Sequence, residues 1–335
     1  MKQSSYAVVD LHSDLLSYFN HQSGRTPDEP ISRCSYPQML AGHVKLQTLA
    51  IFSATSAFSV RRAEEQISQL QSLFRQYPDI FAPLSQISDL HSSPAPTVNL
   101  IAAFENASGF ALEDEPIKAS LERLARLHKI LGNIFYIGMT WDGENRFGGG
   151  VGSSAGLKED GKRLLEWLSG QRIAVDFSHT SDKLAYEIIE YIDKHGLQIP
   201  LMASHSNFRT VTDMPRNLPD EIAKELIRRK GLIGLNFIVP FISWTDPTVW
   251  LRHVEYGLSL GGADALSFGA DFFCDADFPH IKEKYNGAPL FYPEYGNASC
   301  YPYVLEQLAN HLKLDEDQLK KIASENALKF LEGNI

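Results

Sequence analysis

Eight short runs of apolar and β-branched residues recur along the chain, and they limit its fold more tightly than any other feature. They span residues 6–11, 44–53, 98–105, 134–140, 173–178, 200–204, 232–237 and 265–270. Between several of them the apolar residues fall at helical spacing. Ile67, Leu70 and Phe74 share one face, as do Leu184, Ile188 and Ile192, with Ser181 placed to cap the second of these helices. Near-continuous apolar strands separated by amphipathic helices indicate a parallel sheet covered by helices, because each crossover lays a helix on a sheet face. Eight such units in 335 residues fit a closed α/β barrel of the (β/α)8 type, with a doubly wound open sheet as the alternative. No linker-like composition, low-complexity tract or internal repeat interrupts the series, so residues 1–335 read as a single domain. Residues 316–331 read as a closing helix. Residues 274–300, rich in Pro, Gly and aromatics, follow the last run and are long enough to cover a site. Gly148-Gly149-Gly150-Val151-Gly152 lacks the Lys-Ser/Thr of a phosphate cradle and is expected to be a mobile loop after the fourth run.

Ionisable residues collect at the C-terminal ends of these runs. In a strand over residues 6–11, Asp10, His12 and Asp14 lie two apart and share a face. Glu105 ends the third run, His179 the fifth and His205 the sixth, and Asp271 follows the eighth. In a barrel these ends converge on the face where active sites are built. A lone His there is most often a hydrogen-bonded structural residue. Six ionisable residues (His12, Asp14, Glu105, His179, His205 and Asp271) at corresponding positions instead indicate a cation site, since unpaired buried carboxylates and imidazoles are costly. Imidazole and carboxylate donors without thiolates suit zinc or a similar divalent ion. The donors outnumber the needs of one tetrahedral ion, so two ions bridged by a carboxylate are expected, with Glu105 as the bridge.

Composition narrows the partners. With 41 acidic against 31 basic residues the net charge is −10, and no Lys/Arg run is present. This argues against nucleic acid or an anionic membrane and for a small-molecule substrate. The longest apolar region, residues 231–244, is broken by Asn236 and Pro240 and falls short of the ~18 residues of a membrane span. Residues 1–5 lead into the first run without the pattern of a signal peptide, so a soluble, cytoplasmic protein is expected. Cys34, Cys274 and Cys300 are too few and too scattered for a disulfide framework and read as reduced thiols.

Six stretches together resemble the membrane (renal-type) dipeptidase family of zinc peptidases, including its bacterial cytoplasmic members. They are Asp10-Leu11-His12-Ser13-Asp14, Phe104-Glu105-Asn106, residues 175–182 (VDFSHTSD), Ala203-Ser204-His205-Ser206, Pro215-Arg216-Asn217-Leu218 and Gly269-Ala270-Asp271-Phe272, running in order over residues 6–273. The resemblance implies an amidohydrolase-like barrel with a binuclear zinc centre. In it His12 and Asp14 bind one ion, His179 and His205 the other, and Glu105 both. It further implies that Arg216 grips a substrate's C-terminal carboxylate, that Asp271 moves protons near the metals, that a D-residue is tolerated at the C-terminal position, and that the protein is a homodimer. The chemistry of Arg216 agrees, since a guanidinium fork recognises a carboxylate through two bonds that Lys cannot copy. One departure stands out. Trp141 occupies the position where relatives carry a substrate-contacting His, and it offers one indole N–H on a larger ring. Either Trp141 donates in its place, Asn145 substitutes, or the preferred substrate differs; a Trp is also expected to narrow the pocket. The expected activity is hydrolysis of a dipeptide amide bond. The alternatives are an N-acyl amino acid deacylase and a metal-retaining protein of weak activity.

Overall fold

The computed structural model describes residues 6–92 and 96–334. Among the described residues nine strands form one all-parallel sheet: β1 (Val8–Ser13), β2 (Val44–Ile51), β3 (Phe81–Pro83), β4 (Val98–Phe104), β5 (Ile134–Gly138), β6 (Ala174–Asp176), β7 (Leu201–Ala203), β8 (Leu232–Leu235) and β9 (Leu266–Phe268). The neighbours run β2-β1-β9-β8-β7-β6-β5-β4, and β2 also pairs with β4, from Leu46 opposite Asn99 to Ile51 opposite Phe104. That pairing closes an eight-stranded (β/α)8 barrel and removes the open sheet. All eight expected runs are barrel strands. The ninth, β3, lies outside the ring against the first residues of β4, with Phe81 opposite Val98 and Pro83 opposite Leu100. Three residues ending in Pro show no period, which is why it went unseen.

Alternation along β4 separates the two layers. Val98, Leu100, Ala102 and Phe104 join the large core between strands and helices, whereas Ile101 and Ala103 join a second cluster with Val9, Leu11, Leu46, Tyr136, Ala174, Met202 and Leu232 that fills the barrel. Glu105 continues the interior parity of Ile101 and Ala103, which aims it at the barrel mouth. Ala327 and Leu331 belong to the same interior cluster and plug the opposite end. They come from the closing segment, which is helical at Glu316–Lys320, passes through a π turn at Lys321–Glu325 and resumes at Asn326–Glu332. Asp315 and Gln318 form its capping box, and the Asn326 amide donates to the carbonyls of Ala263 (3.0 Å) and Leu266 (2.8 Å).

Residues 274–300 contain a helix, Pro279–Lys284, and several single turns, and they are pinned rather than loose. Arg25 forks onto Asp277, Arg33 donates to Asp275 and to the Gly296 carbonyl (both 2.8 Å), and the Tyr292 hydroxyl donates to the Ser243 carbonyl at 2.7 Å. The glycine loop differs from expectation. Gly148, Gly149 and Gly150 are buried, Gly150 N–H donates to Gly143 O, Gly152 N–H to Asp142 O and Val151 N–H to His179 O. A Cβ on Gly150 would sit 1.7 Å from the Trp141 carbonyl oxygen. Glycine is needed there for close approach of two backbones, not for mobility. Residues 231–244 divide into β8 and a short helix, Val239–Ile242, and among the described residues no helix is long and apolar enough to cross a membrane. Residues 1–5, on which the expectation of a cytoplasmic protein partly rested, lie outside the described residues. The three cysteines are free, buried thiols.

Candidate metal and substrate site

The strand ends share a local device. Asx side chains accept the N–H two residues on: Asp10 from His12 (3.3 Å), Asn106 from Ser108 (3.1 Å), Asp176 from Ser178 (3.1 Å) and Asn236 from Ile238 (2.6 Å). Asn106, Asp176 and Asn236 sit at or just past the ends of β4, β6 and β8, whereas Asp10 lies within β1, and each redirects the side chains that follow. Asp10 therefore does not share a role with His12 and Asp14 as the simple alternation suggests. Its Oδ1 also accepts the Ala270 N–H at 3.0 Å, clamping β1 to the end of β9, and the β1 register is irregular between Asp10 and Ser13.

Three imidazoles converge, and each has a partner that fixes its tautomer. The Tyr136 hydroxyl donates its single proton to the Leu11 carbonyl (3.2 Å), so at 2.7 Å it accepts from His12 Nδ1–H. His179 Nδ1–H donates to Asp142 Oδ1 at 2.9 Å. Ser204 Oγ donates to Asp176 Oδ2 at 2.5 Å and accepts from His205 Nδ1–H at 2.6 Å. All three Nε2 atoms thus carry lone pairs, turned inward. His179 Nε2 lies 3.1 Å from His205 Nε2 and 3.1 Å from Glu105 Oε1; His12 Nε2 lies 3.8 Å from Glu105 Oε2 and 3.7 Å from Asp271 Oδ1. Two facing lone pairs cannot bond each other, and a cation between them resolves the conflict. His12 Nε2 and Asp14 Oδ1 are buried without a hydrogen-bond partner. Ligand atoms of His12, Glu105 and His205, and of His12, Asp14 and Asp271, lie within 4.8 Å of one another. His12 belongs to both groups.

Electrostatics follow from burial. Desolvation holds His12 and His205 well below the ordinary histidine value and His179 at about 4, with Arg216 adding repulsion to each. Burial raises Asp14 and Glu105 well above the usual carboxylate range, reinforced by their carboxylate neighbours, and lifts Asp271 to about 7 against the pull of Arg216 and Asn236. Burial would also raise Asp142, but its bond to His179 and the charges of His179, Arg216 and Lys284 outweigh this and hold it at about 2. His179 (φ 68°) and Asp271 (φ 64°) occupy the left-handed region that non-glycine residues avoid. They are kept there by Val151 N–H to His179 O and Asp271 N–H to His12 O.

A cavity of 610 Å³ opens beside this cluster, lined by Asp14, Glu105, Trp141, His179, Arg216 and Asp271 among others. Arg216 is 7% exposed and donates to Ser206 Oγ (2.9 Å) and the His205 carbonyl (3.2 Å), while its Nε has no partner. Trp141 leans edge-on against Phe52 at 5.0 Å between ring centroids and stands 6.1 Å from the His179 ring, so it walls the cavity without closing it. Asn145 is not brought to the cavity. Its amide donates to Met139 O and Asn106 Oδ1 and accepts from the N–H groups of Phe147 and Gly148, so it holds the turn after β5. Tyr136, Asp142, Asp176, Ser204 and Asn236 were not singled out from sequence. Their only signal is a place within a few residues of a candidate donor, or, for Tyr136, interior parity on β5.

Three comparisons bear on this site. The model of the family described as membrane dipeptidase (peptidase family M19) matches residues 2–333. An uncharacterised protein in the pqqA 5′ region of Klebsiella pneumoniae is 29% identical over 188 residues, 52% of this chain and 64% of that protein. Dipeptidase verJ of Clonostachys rogersoniana is 24% identical over 286 residues, 77% of this chain and 66% of that protein. The chain thus spans slightly less than two thirds of the length of these curated relatives. Among solved structures, a metallo peptidase of Rhodobacter sphaeroides liganded with a phosphinate mimic of the dipeptide L-Ala-D-Ala superposes with TM-score 0.83 at 21% identity, over 99% of this chain and 100% of that one. At that identity the likeness speaks for the fold.

Proposed function

The chain belongs to the membrane dipeptidase family, and from that premise we propose that it is a metal-dependent dipeptidase acting on small dipeptides, including those with a D-residue at the C-terminal position. The observation that carries this reading is the convergence of three tautomer-fixed Nε2 lone pairs and Glu105 beside a cavity that also holds Arg216. The donor set fits two divalent cations, zinc first among them: His12 and Asp14 on one side, His179 and His205 on the other, Glu105 between. Such cations supply Lewis-acid polarisation of a carbonyl and a water acidic enough to act near neutral pH.

The chain's own residues do the rest. Arg216 receives the substrate's C-terminal carboxylate through the remaining N–H groups of a guanidinium already fixed by Ser206 and the His205 carbonyl. Asp271, held at about 7 and steadied by the Asn236 amide at 2.9 Å, takes a proton from the attacking water and delivers it to the leaving nitrogen. Trp141 forms a side wall of the site. Asp142, Ser204 with Asp176, and Tyr136 hold the three imidazoles in the tautomer a cation needs.

The test is metal analysis of the purified protein together with turnover of Ala-Ala and of acetyl-Ala. The reading expects divalent metal and cleavage of the free dipeptide. Cleavage of the blocked compound alone would move the assignment to an N-acyl amino acid deacylase, and metal without hydrolysis of any dipeptide would leave a binding protein.

A further inference from the structure

The cavity is larger than a dipeptide of two alanines fills, and beside the proposed carboxylate clamp its lining includes a group of apolar side chains. Phe241 lies 5.6 Å from the Arg216 guanidinium carbon, ring to cation. Next to it stand Ile238 and Leu290, 4% and 1% exposed, tied together by the Val239 N–H bond to the Leu290 carbonyl at 2.9 Å, and Phe273, 8% exposed. Met214 completes the lining on the Arg216 side. We propose that Met214, Ile238, Phe241, Phe273 and Leu290 form a subsite for a large aliphatic or aromatic side chain on the residue whose carboxylate Arg216 holds. The proposal rests on the reading of Arg216 as that clamp.

A side chain is attached to the carbon that bears the carboxylate, so a carboxylate on Arg216 leaves that side chain against the wall around Phe241. Arg216 cannot swing to accept another pose, because Ser206 and the His205 carbonyl hold two of its nitrogens. A methyl group leaves this wall facing a void, whereas each further buried methylene removes apolar surface from water. None of the five offers an acidic or basic side chain a charged partner, and the ionisable residues of the cavity lining, Arg62, Asp142, His280 and Lys284 among them, are not part of this group. Met214, unbranched and polarisable, can adjust to side chains of different shape. Trp141 does not oppose this. Its ring packs on Phe52, which is not one of the five.

The experiment measures kcat/KM of the metal-loaded protein for Ala-Ala, Ala-Leu and Ala-Phe, each with the C-terminal residue in both configurations. In the configuration that is cleaved, Leu or Phe is expected to exceed Ala by about tenfold or more. Phe241→Ala should pull the Leu-to-Ala ratio toward one, and Phe241→Leu should restore it. Ala-Ala equal to or better than both larger substrates overturns the proposal, as does an unchanged ratio in Phe241→Ala. Should no dipeptide be cleaved, the dipeptidase reading itself fails, and calorimetry on the same protein still decides the subsite. N-acetyl-leucine binding about tenfold tighter than N-acetyl-alanine supports it, and equal binding overturns it.

Discussion

Replacing Asp142 separates a residue that tunes a ligand from one that merely surrounds it. Its Oδ1 accepts from His179 Nδ1–H at 2.9 Å, and its carboxyl sits at about 2 instead of the ordinary 3.8. That difference of about 1.8 pH units corresponds to about 2.4 kcal/mol of preference for the charged form. The side chain is 34% exposed, so solvent screens part of this, and about 1.4 kcal/mol is a fair share for the contact with His179. Asp142→Asn keeps an acceptor in place but removes the charge, and should weaken metal retention about tenfold. Asp142→Ala also frees the imidazole to rotate and exchange tautomers, and should cost up to about 100-fold. The assay is competition with a chelator, reading the metal dissociation constant directly, with kcat/KM at saturating metal as the second readout. If both variants hold metal as tightly as the native chain, the idea that Asp142 fixes the His179 tautomer for coordination is refuted.

Leu331→Ala opens the plugged end of the barrel, where this side chain is fully buried, and should destabilise by about 2–5 kcal/mol in denaturant unfolding without altering metal content. Arg216→Lys keeps charge but loses the fork, and should lower kcat/KM for a free-carboxylate dipeptide by about 10- to 100-fold while barely affecting its amide. His253 is buried, accepts the Phe208 N–H at 3.2 Å and is pushed down to about 3 by burial, so it stays neutral in the fold while an unfolded histidine protonates below 6.5. Unfolding then takes up a proton, and stability should fall as pH drops from 6.5 toward 3, by about 1.4 kcal/mol per pH unit for this residue. Urea unfolding of the native chain and of His253→Asn at several pH values checks this, and an equal pH dependence of the two between pH 7 and 5 would contradict it.

The barrel was legible because its eight strands are buried on both faces and therefore read as apolar runs, with donors at matching ends. The convergence of the candidate donors was legible for the same reason: Glu105 needs only the parity of Ile101 and Ala103 to be placed. What the sequence concealed depends on bonds between distant segments. Nothing in the order of residues says that Asp142 reaches His179, 37 positions on, or that Asp176 reaches His205 through Ser204. Asp10 misled because alternation assumes a regular strand, and the register of β1 is irregular after Asp10, which breaks the count. Asn145 misled because a buried amide near a site satisfies its own turn first. The glycine loop looked like freedom and is close packing, a distinction visible only once Gly150 is set against the Trp141 carbonyl.

The central claim is that His12, Asp14, Glu105, His179 and His205 surround two cations. Anomalous diffraction at the zinc edge from crystals grown with zinc measures this directly. The account predicts two peaks, one beside His12 Nε2 and Asp14, the other beside the Nε2 atoms of His179 and His205, with Glu105 between them. No peak within coordination distance of any of these three imidazoles would contradict it.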